Sequence, residues 1–179
     1  MRTISRMYDN YSDAAAVVHD LETADLQPNR EISLVANENA RGRDTATETT
    51  RTEPHSGTGA GAGIGATVGG VVGILTGLGL LAIPGVGPLV AAGWLATTLA
   101  GAGAGAVAGG LVGALTNAGV SREEAEVYEE GVRRGGTLVS VRAEDSDISR
   151  VEAILDRRAT TDWRARRDEY TAAGWQPTR

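Results

Sequence analysis

Residues 57–119 read GTGAGAGIGATVGGVVGILTGLGLLAIPGVGPLVAAGWLATTLAGAGAGAVAGGLVGALTNAG, with no charged residue and 20 of the chain's 25 glycines. Glycine recurs at every fourth position at Gly57, Gly61, Gly65, Gly69, Gly73 and Gly77, and again at Gly101, Gly105, Gly109 and Gly113. Each glycine costs a water-exposed helix roughly 1 kcal/mol relative to alanine. Such a row therefore needs an external support. A bilayer gives one, because a backbone without water must satisfy its own hydrogen bonds. The side-chain-free stripe also lets two helix backbones approach closely. Positions four apart advance about 40° around a helix, which favours a right-handed crossing.

Pro84, Gly85, Gly87 and Pro88 interrupt the stretch and mark a hairpin turn. The two arms, about 59–83 and 88–117, each exceed the roughly 20 residues that cross a hydrocarbon core. The spacing thus predicts a glycine-zipper helical hairpin, with the ten glycines as its helix-packing stripe. Trp94, near the turn, fits either the far membrane interface or lipid-facing packing. The alternative is a soluble homo-oligomer that buries its glycine helices in one another. Strict fourfold spacing with Leu, Val and Ile between argues against disorder. The pairs Gly61-x-Gly63 and Gly77-x-Gly79 do not make a dinucleotide loop, since no acid follows before Glu123.

Outward from this stretch, the net charge of −6 sits entirely in the flanks. Both flanks carry more acids than arginines, which argues against nucleic-acid binding by phosphate neutralisation. Arg41, Arg43, Arg51 and Arg122 flank the hairpin as candidate headgroup contacts. The turn has no charge, so the positive-inside rule predicts both termini on the cytoplasmic side of the inner membrane, with a wholly cytoplasmic protein as the alternative. The first residues lack the apolar run of a secretory signal. With no cysteine, disulfides, thiolate metal sites and thiol catalysis are excluded. All 17 basic residues are arginine, so a phosphate loop with its lysine is excluded as well.

Residues 1–37 read as a first βαβ half. Thr3–Tyr8 is extended, Ser12 or Asp13 caps a helix carrying Ala14, Val17, Val18, Leu21 and Ala24, and Glu31–Ala36 is a second strand. Residues 38–56 are a polar flexible linker. Residues 120–169 form the second half: a helix capped by Ser121 with Glu124 completing a capping box and ending at Gly135-Gly136, a strand over Thr137–Arg142, a helix from Ser146-Asp147 carrying Ile148, Val151, Ile154 and Leu155, and a final strand over Thr161–Arg166. Residues 170–179 are a tail. A shift of 134 positions maps Ser12, Asp13, Val17 and Leu21 onto Ser146, Asp147, Val151 and Leu155. Neither half buries enough surface alone. Together they predict an α+β fold, a split ferredoxin-like four-stranded antiparallel sheet with helices, carrying the glycine hairpin as an insertion.

The flanks resemble the bacterial general stress protein 17M-like (heat-induced stress protein) domain. The likeness is carried by Thr3–Tyr8, Ser12-Asp13-Ala14 and Glu31-Ile32-Ser33-Leu34-Val35, and more closely by the run from Gly119 to Val141. It covers about residues 1–37 and 119–166, and it implies a stress-associated role without catalytic residues to carry over.

His19 and His55 are the only histidines, and neither pairs with an acid and a nucleophile in the pattern. Glu123, Glu124, Glu126, Glu129 and Glu130 read as a solvated helix face, and Arg133, Arg134, Arg157, Arg158, Arg164, Arg166 and Arg167 as exposed positions. No catalytic, cofactor or metal residue is expected, nor a small-molecule substrate. The sequence points to a non-enzymatic, membrane-associated stress protein whose partners are the lipid bilayer and itself as a homo-oligomer. A pore of oligomerised hairpins is disfavoured by the lack of any charge to mark an ion path.

Overall fold

The computed structural model describes residues 1–38, 79–83, 87–101, 110–158 and 162–177. Five strands form one antiparallel sheet: β1 (Arg2–Tyr8), β2 (Glu31–Asn37), β3 (Gly79–Ile83), β4 (Gly87–Gly93) and β5 (Thr137–Ala143), in the order β1-β5-β2-β4-β3. Among the described residues six helices accompany them: α1 (Tyr11–Thr23), α2 (Trp94–Gly101), α3 (Gly110–Asn117), α4 (Arg122–Arg133), α5 (Ile148–Leu155) and α6 (Trp163–Ala172). Because β5 runs antiparallel to both β1 and β2, those two strands are parallel to each other with β5 between them. The unit β1-α1-β2 is therefore a split βαβ crossover.

Alternation along the strands divides the core into two layers. Ile4, Tyr8, Leu34, Ala36, Val139 and Val141 face α1 and α5, where Val17, Leu21, Val151 and Leu155 are fully buried. Met7, Val35, Leu138, Leu89 and Ala91 face the other way, against Leu95, Leu99, Leu111, Leu115, Ala125, Tyr128 and Val132 of α2, α3 and α4. On this second face Ser5, Ser140 and Ser33 lie in one register row that ends at Gly93. The Ser5 and Ser140 hydroxyls are 2.8 Å apart, and the Ser33 hydroxyl donates to the Ala92 carbonyl at 2.9 Å. Small, mutually satisfied side chains let the helices approach the sheet here.

The helical hairpin is corrected by this topology. Residues 79–83 and 88–93, expected within its two arms, lie in the strands of a β-hairpin, paired from Gly79↔Ala91 to Ile83↔Gly87. The expected turn residues Gly87 and Pro88 open β4, while Pro84 and Gly85 lie outside the described residues. The physical reason lies in β2. Leu34, Val35 and Ala36 are fully buried on both faces, so this strand needs a partner on each side, and β4 supplies the second. After β4 the second arm bends into α2 and α3, each of eight residues, too short to cross a hydrocarbon core. Among the described residues no helix is long and apolar enough to cross a membrane. The first arm from 59 to 78 and the linker over 39–56 lie outside the described residues.

The corner between β4 and α2 depends on Gly93. Its φ of +81° is a left-handed conformation, and a Cβ there would sit 2.0 Å from the Ile32 carbonyl oxygen. Trp94 follows at once and is buried, with the Arg142 guanidinium 3.8 Å above its ring centroid. It marks a domain core rather than a lipid interface.

Three further expectations are corrected. The strand predicted over Thr161–Arg166 is replaced by α6, which starts where the Asp162 side chain accepts the Arg164 amide at 2.8 Å. With that strand lost and β3 and β4 added, the sheet among the described residues has five strands rather than four, extended at the β2 side and ending at β1 on the other. The cap of α1 is Asn10, which accepts the Asp13 amide at 2.8 Å, rather than Ser12 or Asp13. The tail beyond 170 continues α6 to Ala172 and then turns back, with the Trp175 amide donating to the Tyr170 carbonyl at 2.9 Å.

Leu95 is fully buried between α2 and the sheet. Leu95→Ala is expected to cost the folded domain about 2–5 kcal/mol, read as a lower urea midpoint. An unchanged midpoint would mean that the second arm is not part of this core.

Candidate functional site

The described cleft lies where α4 hands over to β5. Helix α4 begins with Ser121 accepting the Glu124 amide at 3.3 Å. The reciprocal half of the capping box is missing, because the Glu124 carboxylate instead takes the Tyr128 hydroxyl at 2.7 Å. The helix ends in a glycine pair. Gly135 has φ +100°, and the Gly136 amide donates to the Gly131 carbonyl at 2.9 Å, a Schellman closure. A Cβ on Gly131 would meet the flexible Met7 methyl at 2.8 Å, and one on Gly136 the Met7 sulfur at 2.9 Å and the Gly131 carbonyl oxygen at 3.0 Å.

Around this turn a cavity of about 370 Å³ is lined by Met7, Asp9, Gly136, Arg134, Arg166 and Tyr170, among others. The Tyr170 ring is stacked under the Arg134 guanidinium at 4.4 Å, and Arg134 Nε in turn donates to the Glu130 carboxylate at 2.6 Å. Arg166 pairs with Asp9. Burial would lower the Arg166 pKa, but the hydrogen bond and charge of Asp9 outweigh it, and the guanidinium is held charged. The Tyr170 hydroxyl is pushed up by burial and stays protonated. Both cationic groups of the cleft are thus already matched by carboxylates, and its residues include no nucleophile beside a base. What the arrangement does is seat α6. That helix buries only Tyr170, and it is oriented by Arg166 to Asp9, Arg167 to Glu123 at 3.2 Å and the Arg134 stack.

The residues singled out from the sequence are not brought together here. Gly57, Gly61, Gly65, Gly69, Gly73, Gly77, Gly105, Gly109, Arg41, Arg43 and Arg51 lie outside the described residues. Gly101 ends α2, and Gly113 lies in α3 with nothing described within 4 Å of where its Cβ would be. Arg122, a candidate headgroup contact, pairs with the buried Glu126 at 3.0 Å. The acidic face of α4 is equally committed: Glu130 is 5% exposed and carries both Arg133 and Arg134. The cleft is not legible in the sequence, because Asp9 and Arg166 lie far apart in the chain and the alternation of Arg164 and Arg166 reads as a strand. The spacing of Trp163, Arg166 and Tyr170 at helical intervals was the available signal. Among the described residues no group of three or more His, Cys, Asp or Glu could hold a metal.

Glu129 lies on α4 close to the Val112 backbone of α3. Burial raises its pKa, more strongly than the Val112 backbone and Arg133 lower it. A carboxyl that holds its proton more tightly when folded contributes most stability below its ordinary value of 4.5 and loses that contribution as pH rises through the raised value. Glu129→Gln removes the titrating proton at similar size and should flatten the pH dependence, gaining stability relative to the wild type at about pH 7.5 over about pH 5. Urea midpoints at the two pH values measure this. Tyr170→Ala should cost about 2 kcal/mol and free α6, seen as faster proteolysis after Arg158 and Arg164 with the sheet amides still protected. No family model, curated protein or solved structure matches the chain.

Proposed function

We propose that this chain is a non-enzymatic assembly protein of the stress-associated kind. Its α/β domain presents a charge-free glycine-zipper insertion that packs against the same segment of other copies. The observation that carries the proposal is where the insertion leaves and re-enters the sheet. Asn37, at the end of β2, is paired with Leu89 of β4, and β4 is paired in turn with β3, which begins at Gly79. Both ends of the insertion therefore meet one sheet. The glycine run left over, residues 57–78, matches roughly one bilayer crossing, and one crossing would carry its end to the opposite side from β3. Packing among copies, or lying along a surface, meets no such conflict.

The split βαβ unit and the helix-strand pair α4-β5 occupy the segments that carry the resemblance to the general stress protein 17M-like domain, and three of the four strands of a ferredoxin-like sheet have counterparts in β1, β2 and β5. That correspondence supports the stress-associated reading. The paired state of Arg134 and Arg166 supports a structural rather than a catalytic role for the cleft.

A second reading, attachment to the cytoplasmic face of the inner membrane, is favoured by the absence of charge from the insertion, which would lie in the interface rather than cross it. Mass measurement by light scattering in detergent-free buffer separates the two. A defined multimer that dissociates in Gly69→Leu and Gly73→Leu variants is the expected result. A monomer recovered with lipid vesicles would favour the membrane reading, and a monomer that ignores vesicles would overturn both.

A further inference from the structure

Strands β2 and β3 are parallel to each other, because β4 lies between them and runs antiparallel to both. The chain from β2 to β3 is thus a second crossover over one intervening strand, stepping across the sheet in the same direction as β1-α1-β2 does over β5. Crossovers between parallel strands of one sheet are right-handed in nearly all proteins. Two crossovers of one hand that step in one direction lie on one face. Helix α1 identifies that face: it packs with Leu34, Val139 and Val141, opposite the layer of α2, α3 and α4.

On this face β4 carries Val90 and Ala92, cross-strand from Ala36 and Leu34. Both are only 2% exposed. Helix α1 packs over β1, β5 and β2, and α5 over β1 and β5, while α2, which packs on β4, lies on the other face. A valine sealed to this degree on a sheet has a further layer over it.

The chain that leads into β3 has the pattern such a layer needs. Ile64, Val68, Val71, Leu75 and Leu78 recur at intervals of four and three, which sets them on one stripe of a helix, and Ala62, Ala66, Gly69, Gly73 and Gly77 fall on the opposite side. As a helix, residues 64–78 rise about 22 Å, matching the roughly 23 Å of a strand the length of β2. We infer that residues 64–78 are the crossover helix over the β2-β4-β3 half of the sheet, with the Ile-Val-Leu stripe seated on Val90 and Ala92. Burial of that stripe offsets the helix-weakening effect of the glycines without a bilayer. The glycine side then points away from the sheet, and this is the surface that the self-association proposed above would use. The crossover itself does not depend on that association.

The test uses the full chain, which has no cysteine of its own, with Val90→Cys as a reporter on β4. Maleimide labelling in detergent-free buffer is the readout, and Val17→Cys, at a fully buried position of α1, reports on folding. With no other change, Val90→Cys is expected to react at least a hundredfold more slowly than in urea. Adding Val71→Asp and Leu75→Asp should speed its labelling at least tenfold and leave Val17→Cys protected, whereas Ala62→Asp with Ala66→Asp, on the opposite side, should not. If the first pair unfolds the domain, so that Val17→Cys labels as well, Leu75→Ala takes its place, with a gain of at least threefold expected at Val90→Cys alone. Fast labelling of Val90→Cys with no other change, or protection that no substitution on the Ile-Val-Leu stripe alters, overturns the crossover. Light-scattering mass separates it from self-association. A monomer with Val90→Cys protected leaves the crossover standing and removes the assembly reading. If Gly69→Leu dissociates a multimer and exposes Val90→Cys in the same step, the cover comes from another copy and the crossover falls.

Discussion

The structure depends on the burial of β2. This strand lies with β5 on one side and β4 on the other, and Leu34, Val35 and Ala36 are sealed from solvent on both faces of the sheet. A strand so placed must have every backbone group paired, since water is not there to substitute. The partner on its second side comes from the uncharged glycine-rich region rather than from either flank. That region is consequently no appendage to a finished domain. Its last two-thirds supply β3, β4, α2 and α3, and with them most of the apolar surface that, together with α4, packs around Val35 and Leu138.

Around that core the charges are arranged to orient rather than to react. Helix α4 sits between α3 and α6, with Glu126 and Glu130 buried to 7% and 5% exposure and each held by arginine. Removing one partner of such a pair leaves an uncompensated buried charge, a far larger penalty than the small contribution of an exposed pair. Arg6 to Asp156, Arg142 to Glu31 and Arg158 to Asp13 tie separate elements at the surface. Arginine suits all of these positions because its planar fork meets a carboxylate in a fixed geometry and also stacks on Trp94 and Tyr170. A composition with no lysine fits a protein whose cations are structural ties.

Much of the flanking architecture was legible in the sequence because local signals agreed there. Helical spacing from Ala14 to Leu21, the Ser121 cap and the Gly135-Gly136 stop each have one physical reading, and the short apolar runs of β2 and β5 lie beside them. The glycine-rich region was not legible in the same way. A fourfold glycine row and a run such as Leu80-Leu81-Ala82-Ile83 satisfy a helix and a buried strand alike, and only the vacancy beside β2 decides between them. Thr161–Arg166 failed for the converse reason. The alternation of Arg164 and Arg166 imitated a strand, while the Asp162 cap and the contacts of Tyr170 are tertiary facts. The cleft depends on those same contacts, so it was invisible until α6 was in place.

The pairing of β1 with β5 has a consequence in time. Ser5 meets Ser140 across 135 positions, and until Ala143 has been synthesised neither β1 nor β2 has the strand that separates them. Such distant contacts carry a large loop-closure cost before any of them is rewarded, so the sheet assembles late and slowly. By then the whole uncharged region has been synthesised, and its strands have only each other and β2 to pair with. A nascent chain of this design carries its uncharged middle ahead of the strand that completes the sheet, and its safe yield depends on how quickly β5 arrives or on what shields the middle until it does.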